Sequence, residues 1–512
     1  MTPIIPKYFR LPSLIAIGAC LLLASGCKGE NDHPPAAGRA APVAPVVHQT
    51  PHEYWDVYKM QGAKIGYAHT AITKVPDQDL VQIASNTRLD VVRFGEATRQ
   101  EMNITSLERP DGQVVSLTVT TSLGRKPETT SGRVTGNRLI MTMDAGEKRI
   151  EIPWSADTLG FFGVEQSLER APLAPGEKRR LKVLVPVINQ VGTIELHARG
   201  YEETEMLEGT QKLLRIDGVT ELSEPPGAKI ETILWTDAQG ATLKTLTPAA
   251  LQQESYRTTK AMALASGTGK TFDLGRDVII KTKLIGNAHQ ARKIRYRVKV
   301  DGKDPREIFP NSRTQKLRSQ GPNTAELTVQ AVKPCPSASK DPPPPKEALD
   351  PGSIITSDDP EVISMARQAA GELADPCEIV LALERYVHEE VHEKNFSQAL
   401  STAAEVAKSH EGDCTEHAVL LAALARANKI PARVAMGLVY VRQLGGFGYH
   451  MWTEVYVGGT WTPLDATLGQ GGIGPAHLKL TDSTLAGDSP YSSFLAVTSV
   501  LGRLKIDVLD VD

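Results

Sequence analysis

Residues 412–441 read GDCTEHAVLLAALARANKIPARVAMGLVYV, and the fold turns on how that stretch divides. From Cys414 to Ala427 it is nearly all apolar, with Asp413 just before and Pro431 just beyond. That pattern predicts a buried central helix with an acidic cap. RVAMGLVYV then reads as a strand, and HMWTEVYV and TWTPLDA follow as further strands. The division puts a cysteine in the first turn of a helix, where the partial positive charge of the N-terminus favours the thiolate. Only the thiolate is a strong nucleophile, so the position has chemical content; the bland alternative is an inert buried cysteine.

Downstream, Val457-Gly458-Gly459-Thr460 reads as a two-residue hairpin turn, because Gly-Gly permits the positive φ angles it needs. The turn fixes a register: Val457 faces Thr460, Tyr456 faces Trp461, and Trp452 faces Asp465. His450 then shares the face of Trp452 and lies diagonal to Asp465, a gap that a His and an Asp close by hydrogen bonding. An imidazole held by a carboxylate has its tautomer set and its charged form stabilised, as a general base requires. Trp452 and Trp461 share this face. They read either as walls of a substrate cleft or as packing against the central helix.

Cys414, His450 and Asp465, in that order, also resemble the transglutaminase-like superfamily of papain-type cysteine enzymes. That pattern places the nucleophile in G-[DE]-C at a helix start, the His before a W-x-E-x-Y/V strand, and the Asp in W-x-x-L-D. GDC, HMWTEVYV and WTPLD match it here, as do Ile430-Pro431-Ala432-Arg433 and Gly437. The resemblance implies an α+β fold whose C-terminal domain packs a central helix on an antiparallel sheet. It also implies acyl transfer. Cys414 attacks an amide or peptide carbonyl, His450 moves the proton, Asp465 orients His450, and an acyl-thioester passes to water or an amine. The Cys414 N–H is a natural oxyanion donor, and Asn395 and Gln398 lie in a plausible loop for a second. No cofactor and no metal are called for. A zinc site from Cys414, His417, His450 and Asp465 is a minor alternative, since Cys-x-x-His puts two ligands on one helix turn. The acyl-transfer match covers more residues than the zinc reading.

The rest of the chain gives context. A formal charge of −3 over 512 residues offers no basic footprint, which sets nucleic acid aside as a partner. Residues 1–26 read as a signal peptide: two positive charges, a short apolar core, then Ala24-Ser25-Gly26 before Cys27, resembling a lipobox with Cys27 as the lipidated residue. Residues 27–51, rich in Pro and Ala, read as a tether. Alternating stretches from 52 to 275 predict a β-rich domain of large antiparallel sheets, and 276–332 a small β unit. Proline density marks 333–353 as a linker, and 354–512 forms the transglutaminase-like domain. If Cys335 pairs with Cys377, Cys414 is left as the free thiol. The expectation is an exported, lipid-anchored cysteine protease, amidase or acyltransferase of the bacterial envelope, acting on protein or peptide. The alternative is a non-catalytic binding or assembly lipoprotein that keeps the fold as a scaffold.

Overall fold

A computed structural model describes residues 52–122, 127–143, 148–185, 188–223, 227–248, 251–267, 269–332, 334–335, 341–392, 400–486 and 493–512. The signal peptide, Cys27, the tether, Asn395 and Gln398 lie outside these. The chain is α+β, and its described residues fall into two compact units. One comprises 52–91 and Arg99–Phe272; the other comprises Val92–Thr98 and Asp273–Asp512.

In the first unit, polar–apolar alternation becomes one-sided burial. Along Gln190–Glu205, Ile194, Leu196 and Ala198 are fully buried, while Glu195 between them and Arg199 just beyond are exposed. Fifteen strands between His52 and Thr258 join in one sheet. Its first strand, His52–Met60, lies mid-sheet, paired antiparallel with Ala63–Lys74 on one side and Gln253–Thr258 on the other. The pairing of Thr158–Leu159 with Lys178–Val185 is parallel.

The second unit carries the four helices that frame the candidate site. α1 (Pro360–Ala370), α2 (Pro376–Glu390), α3 (Ala403–Ser409) and α4 (Cys414–Ala427) each follow a capping Asp or Thr. Asp359, Asp375, Thr402 and Asp413 each accept a backbone N–H of their first turn, and α1 and α2 begin with proline, whose fixed φ suits that place. Every residue of α4 from Cys414 to Arg426 is buried, which explains its lack of a polar face. Its charged members are satisfied internally. Glu416 accepts the N–H groups of Ser401 and Asp413, and Arg426 donates to the carbonyls of Ala432, Asp350 and Thr484.

Four strands follow: β1 (Ala432–Val441), β2 (Gly446–Val457), β3 (Thr460–Leu464) and β4 (His477–Ser483). β1 lies between β2 and β4, and β3 pairs with β2. The β2–β3 register puts Val457 opposite Thr460 and Tyr456 opposite Trp461, as the Gly-Gly turn predicts. Strands within 276–332, at Lys293–Val300 and Thr324–Gln330, pair in one sheet with Leu504–Val511 at the far end of the chain. The proline-rich stretch is tied down where it is described. Asp341 Oδ2 accepts Thr460 Oγ1 and the Trp461 N–H, and Cys335 is disulfide-bonded to Cys377 on α2.

Candidate active site

The thiol is placed by a capping box. Asp413 Oδ1 accepts the Thr415 N–H at 2.9 Å while Glu416 Oε2 accepts the Asp413 N–H at 3.0 Å, which fixes Cys414 as the first helical residue. Gly412 is needed there, because a Cβ on it would lie 2.3 Å from that of Glu416. Asp413 Oδ2 accepts Arg93 Nη2 at 3.1 Å, a fully buried ion pair. Cys414 itself is 0% exposed, and its Sγ receives the Met451 N–H of β2 at 3.1 Å.

His450 precedes Met451 on the strand. Its Nε2–H donates to Asp465 Oδ2 at 2.7 Å, and Nδ1 is buried with no hydrogen-bond partner. Asp465 therefore sets the tautomer, leaving a lone pair on Nδ1. His477 of β4 donates Nε2–H to the same Oδ2 at 2.9 Å, and the Thr467 N–H meets Oδ1 at 2.9 Å. Burial alone would push the Asp465 carboxyl up, but His450 and His477 hold it well below the usual carboxylate range. Burial pulls His477 down to about 4 despite Asp465, so it is a neutral donor. Below Asp465, buried Glu384 of α2 accepts the Asp465 and Gly472 N–H groups, and burial followed by the Asp465 charge pushes it up to about 7.

Gly437 makes room for this arrangement. It faces His450 across the β1–β2 ladder, and a Cβ there would lie 2.1 Å from the Leu478 carbonyl oxygen and 2.8 Å from the Trp452 ring. The structure thus brings His450 and Asp465 into contact, with Cys414 against the residue next to His450.

Three expectations change. Burial, then the charge of Asp413, pushes the Cys414 thiol well above its ordinary range, against the lowering expected from the helix start. A dipole effect is modest beside complete desolvation next to a carboxylate. The two tryptophans do not form a shared wall. Trp452 is 1% exposed and packs on His450 and His477, whereas half-buried Trp461 lies beneath Arg433, 4.0 Å from its guanidinium carbon, and beside Tyr456. The zinc grouping is also different. The ligand atoms that converge, within 4.8 Å of one another, belong to His450, Asp465 and His477. His417 instead turns its Nδ1–H back to the Asp413 carbonyl at 2.5 Å, the geometry of its own helix turn. His410 pairs with Glu390.

Sequence reading missed His477, Glu384 and Arg93. The only local trace of His477 is a histidine opening a buried strand; the other two are distant in sequence and carry none.

These features define a cysteine–histidine–aspartate constellation on a helix-and-sheet domain. The model of the transglutaminase-like superfamily matches residues 363–466, so this segment is similar to transglutaminase-like domains. No curated protein matches the chain. Similar solved structures include a candidate cysteine protease from Cytophaga hutchinsonii (16% identity, 44% of this chain and 89% of that one, TM-score 0.28). A β-barrel-like protein of an uncharacterised domain family from Brucella abortus is another (8%, 42% and 98%, TM-score 0.33). A third is the periplasmic domain of TgpA from Pseudomonas aeruginosa bound to ethylmercury (15%, 35% and 91%, TM-score 0.24). At these scores the likeness says nothing of activity.

Proposed function

We propose that this chain is a cysteine-dependent acyl-transfer enzyme that cleaves or exchanges amide bonds through an acyl-thioester on Cys414. The observation that carries the reading is the unpartnered Nδ1 of His450, a buried lone pair whose ring is fixed by Asp465 through Nε2. Nδ1 takes the Cys414 proton as sulfur attacks the carbonyl carbon. The Met451 N–H stabilises the sulfur anion while it exists. The backbone N–H of Cys414 is the oxyanion donor, and the imidazolium then returns its proton to the departing amine. Water or a second amine releases the acyl group. Because burial raises the thiol, Cys414 rests protonated and its proton moves only on attack. The substrate class is protein or peptide, and the setting is the bacterial envelope, through a lipid on Cys27.

The test is turnover of a peptide-amide and amine library by wild type and Cys414→Ala. Product formation by wild type alone, with a covalent adduct on Cys414, is expected. Equal turnover by the variant overturns the assignment.

The complete burial and raised thiol of Cys414 also favour a second reading, a binding or assembly protein that keeps the fold. No adduct from a thiol-directed acyl probe across pH 6–9 supports that reading instead.

A further inference from the structure

Arg93 is buried and lies 320 positions upstream of the residue it pairs with, Asp413. It stands far outside residues 363–466, yet it belongs to the same compact unit through the segment Val92–Thr98. That segment is pinned on both sides of the arginine. The Leu274 N–H donates to the Val92 carbonyl at 2.7 Å. The Phe94 and Gly95 N–H groups donate to the two carboxylate oxygens of Asp273, at 2.8 and 3.0 Å. Phe94 (φ 50°) and Gly95 (φ 90°) are both left-handed, which turns the chain directly after Arg93, and Phe94 packs against Val439 and Val441 of β1.

The pairing reconciles two demands on Asp413. As a cap it must accept the Thr415 N–H, a task that an uncharged acceptor such as Asn performs equally well. As the neighbour of Cys414 it carries a negative charge where attack creates more, first on sulfur and then on the carbonyl oxygen. Left alone, that carboxylate would cancel what a helix N-terminus offers an anion. The Arg93 guanidinium offsets it from 3.1 Å, and with both side chains 2% exposed, little water screens the pair.

We infer that Arg93 is a positioning residue for the acyl transfer: acting through Asp413, it lets an acidic cap hold the start of α4 without a net negative charge beside Cys414. The inference rests on Cys414 being the nucleophile. It makes the transglutaminase-like segment dependent on a side chain supplied from hundreds of residues upstream.

The test is the rate of Cys414 labelling by iodoacetamide, mapped by mass in the full chain. Wild type, Arg93→Met, Asp413→Asn and the double variant are compared. Loss of Arg93 alone is expected to slow labelling roughly tenfold or more. Loss of both charges should restore the rate to within about threefold of wild type. An ion pair that only holds the fold predicts the reverse: a stranded Asp413 loosens the site and exposes the thiol, so Arg93→Met labels faster. Unchanged or faster labelling of Arg93→Met overturns the inference, as does a double variant just as slow. If Arg93→Met does not fold, Asp413→Asn is set against the double variant. Removing Arg93 must again slow labelling there, and an equal or faster rate overturns the inference. Turnover in Arg93→Met should fall with labelling, with KM little changed. A wild type without turnover counts against acyl transfer alone, since labelling reads Arg93 without it.

Discussion

At the scale of single residues, the chemistry rests on protons held in place by burial. Asp465 accepts from two imidazoles and one backbone N–H, so replacing it by Asn swaps an acceptor for a group that must also donate. Asp465→Asn should lower kcat on order of 10²–10⁴-fold with a smaller change in KM, because the His450 tautomer is lost; steady-state kinetics check this. His477 makes a prediction about stability with pH. Its folded pKa of about 4 lies below the ordinary 6.5, so the unfolded chain binds an extra proton between those values. Its contribution is therefore lost as pH falls through that window, by up to about 3 kcal/mol at 1.4 kcal/mol per unit. Glu384 acts the other way, since its raised pKa of about 7 costs stability as pH rises from 4.5. The wild-type slope is thus partly cancelled. The difference between wild type and His477→Gln, by urea denaturation at pH 5 and pH 7, isolates His477. His477→Gln should be relatively less destabilising at pH 5 than at pH 7.

At the scale of elements, α4 and β1 were legible for local reasons. A run of apolar residues between an Asp cap and a proline admits little but a buried helix, and a Gly-Gly turn sets the register of the hairpin that carries His450. What α4 needs from elsewhere was not legible. Asp413 both caps the helix and neutralises buried Arg93, so Asp413→Ala removes a cap and strands a charge. The loss should be about 3–5 kcal/mol in denaturant melts. Asp413→Asn, which keeps the cap but not the charge, should recover about 1 kcal/mol of it. Gly437→Ala tests β1. Because its Cβ would strike the Leu478 carbonyl, β1 and β4 must separate, carrying His477 away from Asp465. Activity is expected to fall with stability there.

At the scale of the molecule, the second unit is held by connections between distant parts of the chain. Its small sheet pairs Lys293–Val300 with the final strand Leu504–Val511, and a disulfide joins Cys335 to Cys377. With the half-cystines 42 positions apart in sequence, the loop-entropy relation gives about 4 kcal/mol. Replacing both cysteines by Ser should lower stability by roughly that amount in equilibrium melts, while leaving Cys414 chemistry unchanged at temperatures where the chain stays folded.

The sequence by itself determined the short-range features: the capped apolar helix, the strands after it, and the turn that carries His450 toward Asp465. Periodicity, caps and two-residue turns act over a few residues, so their causes are written locally. Tertiary structure alone decided the second histidine on Asp465, the carboxylate beneath it, the arginine against Asp413 and the proton on the thiol. Each depends on desolvation and on partners brought from tens or hundreds of residues away. Packing, not spacing, sets the free energy of a buried charge.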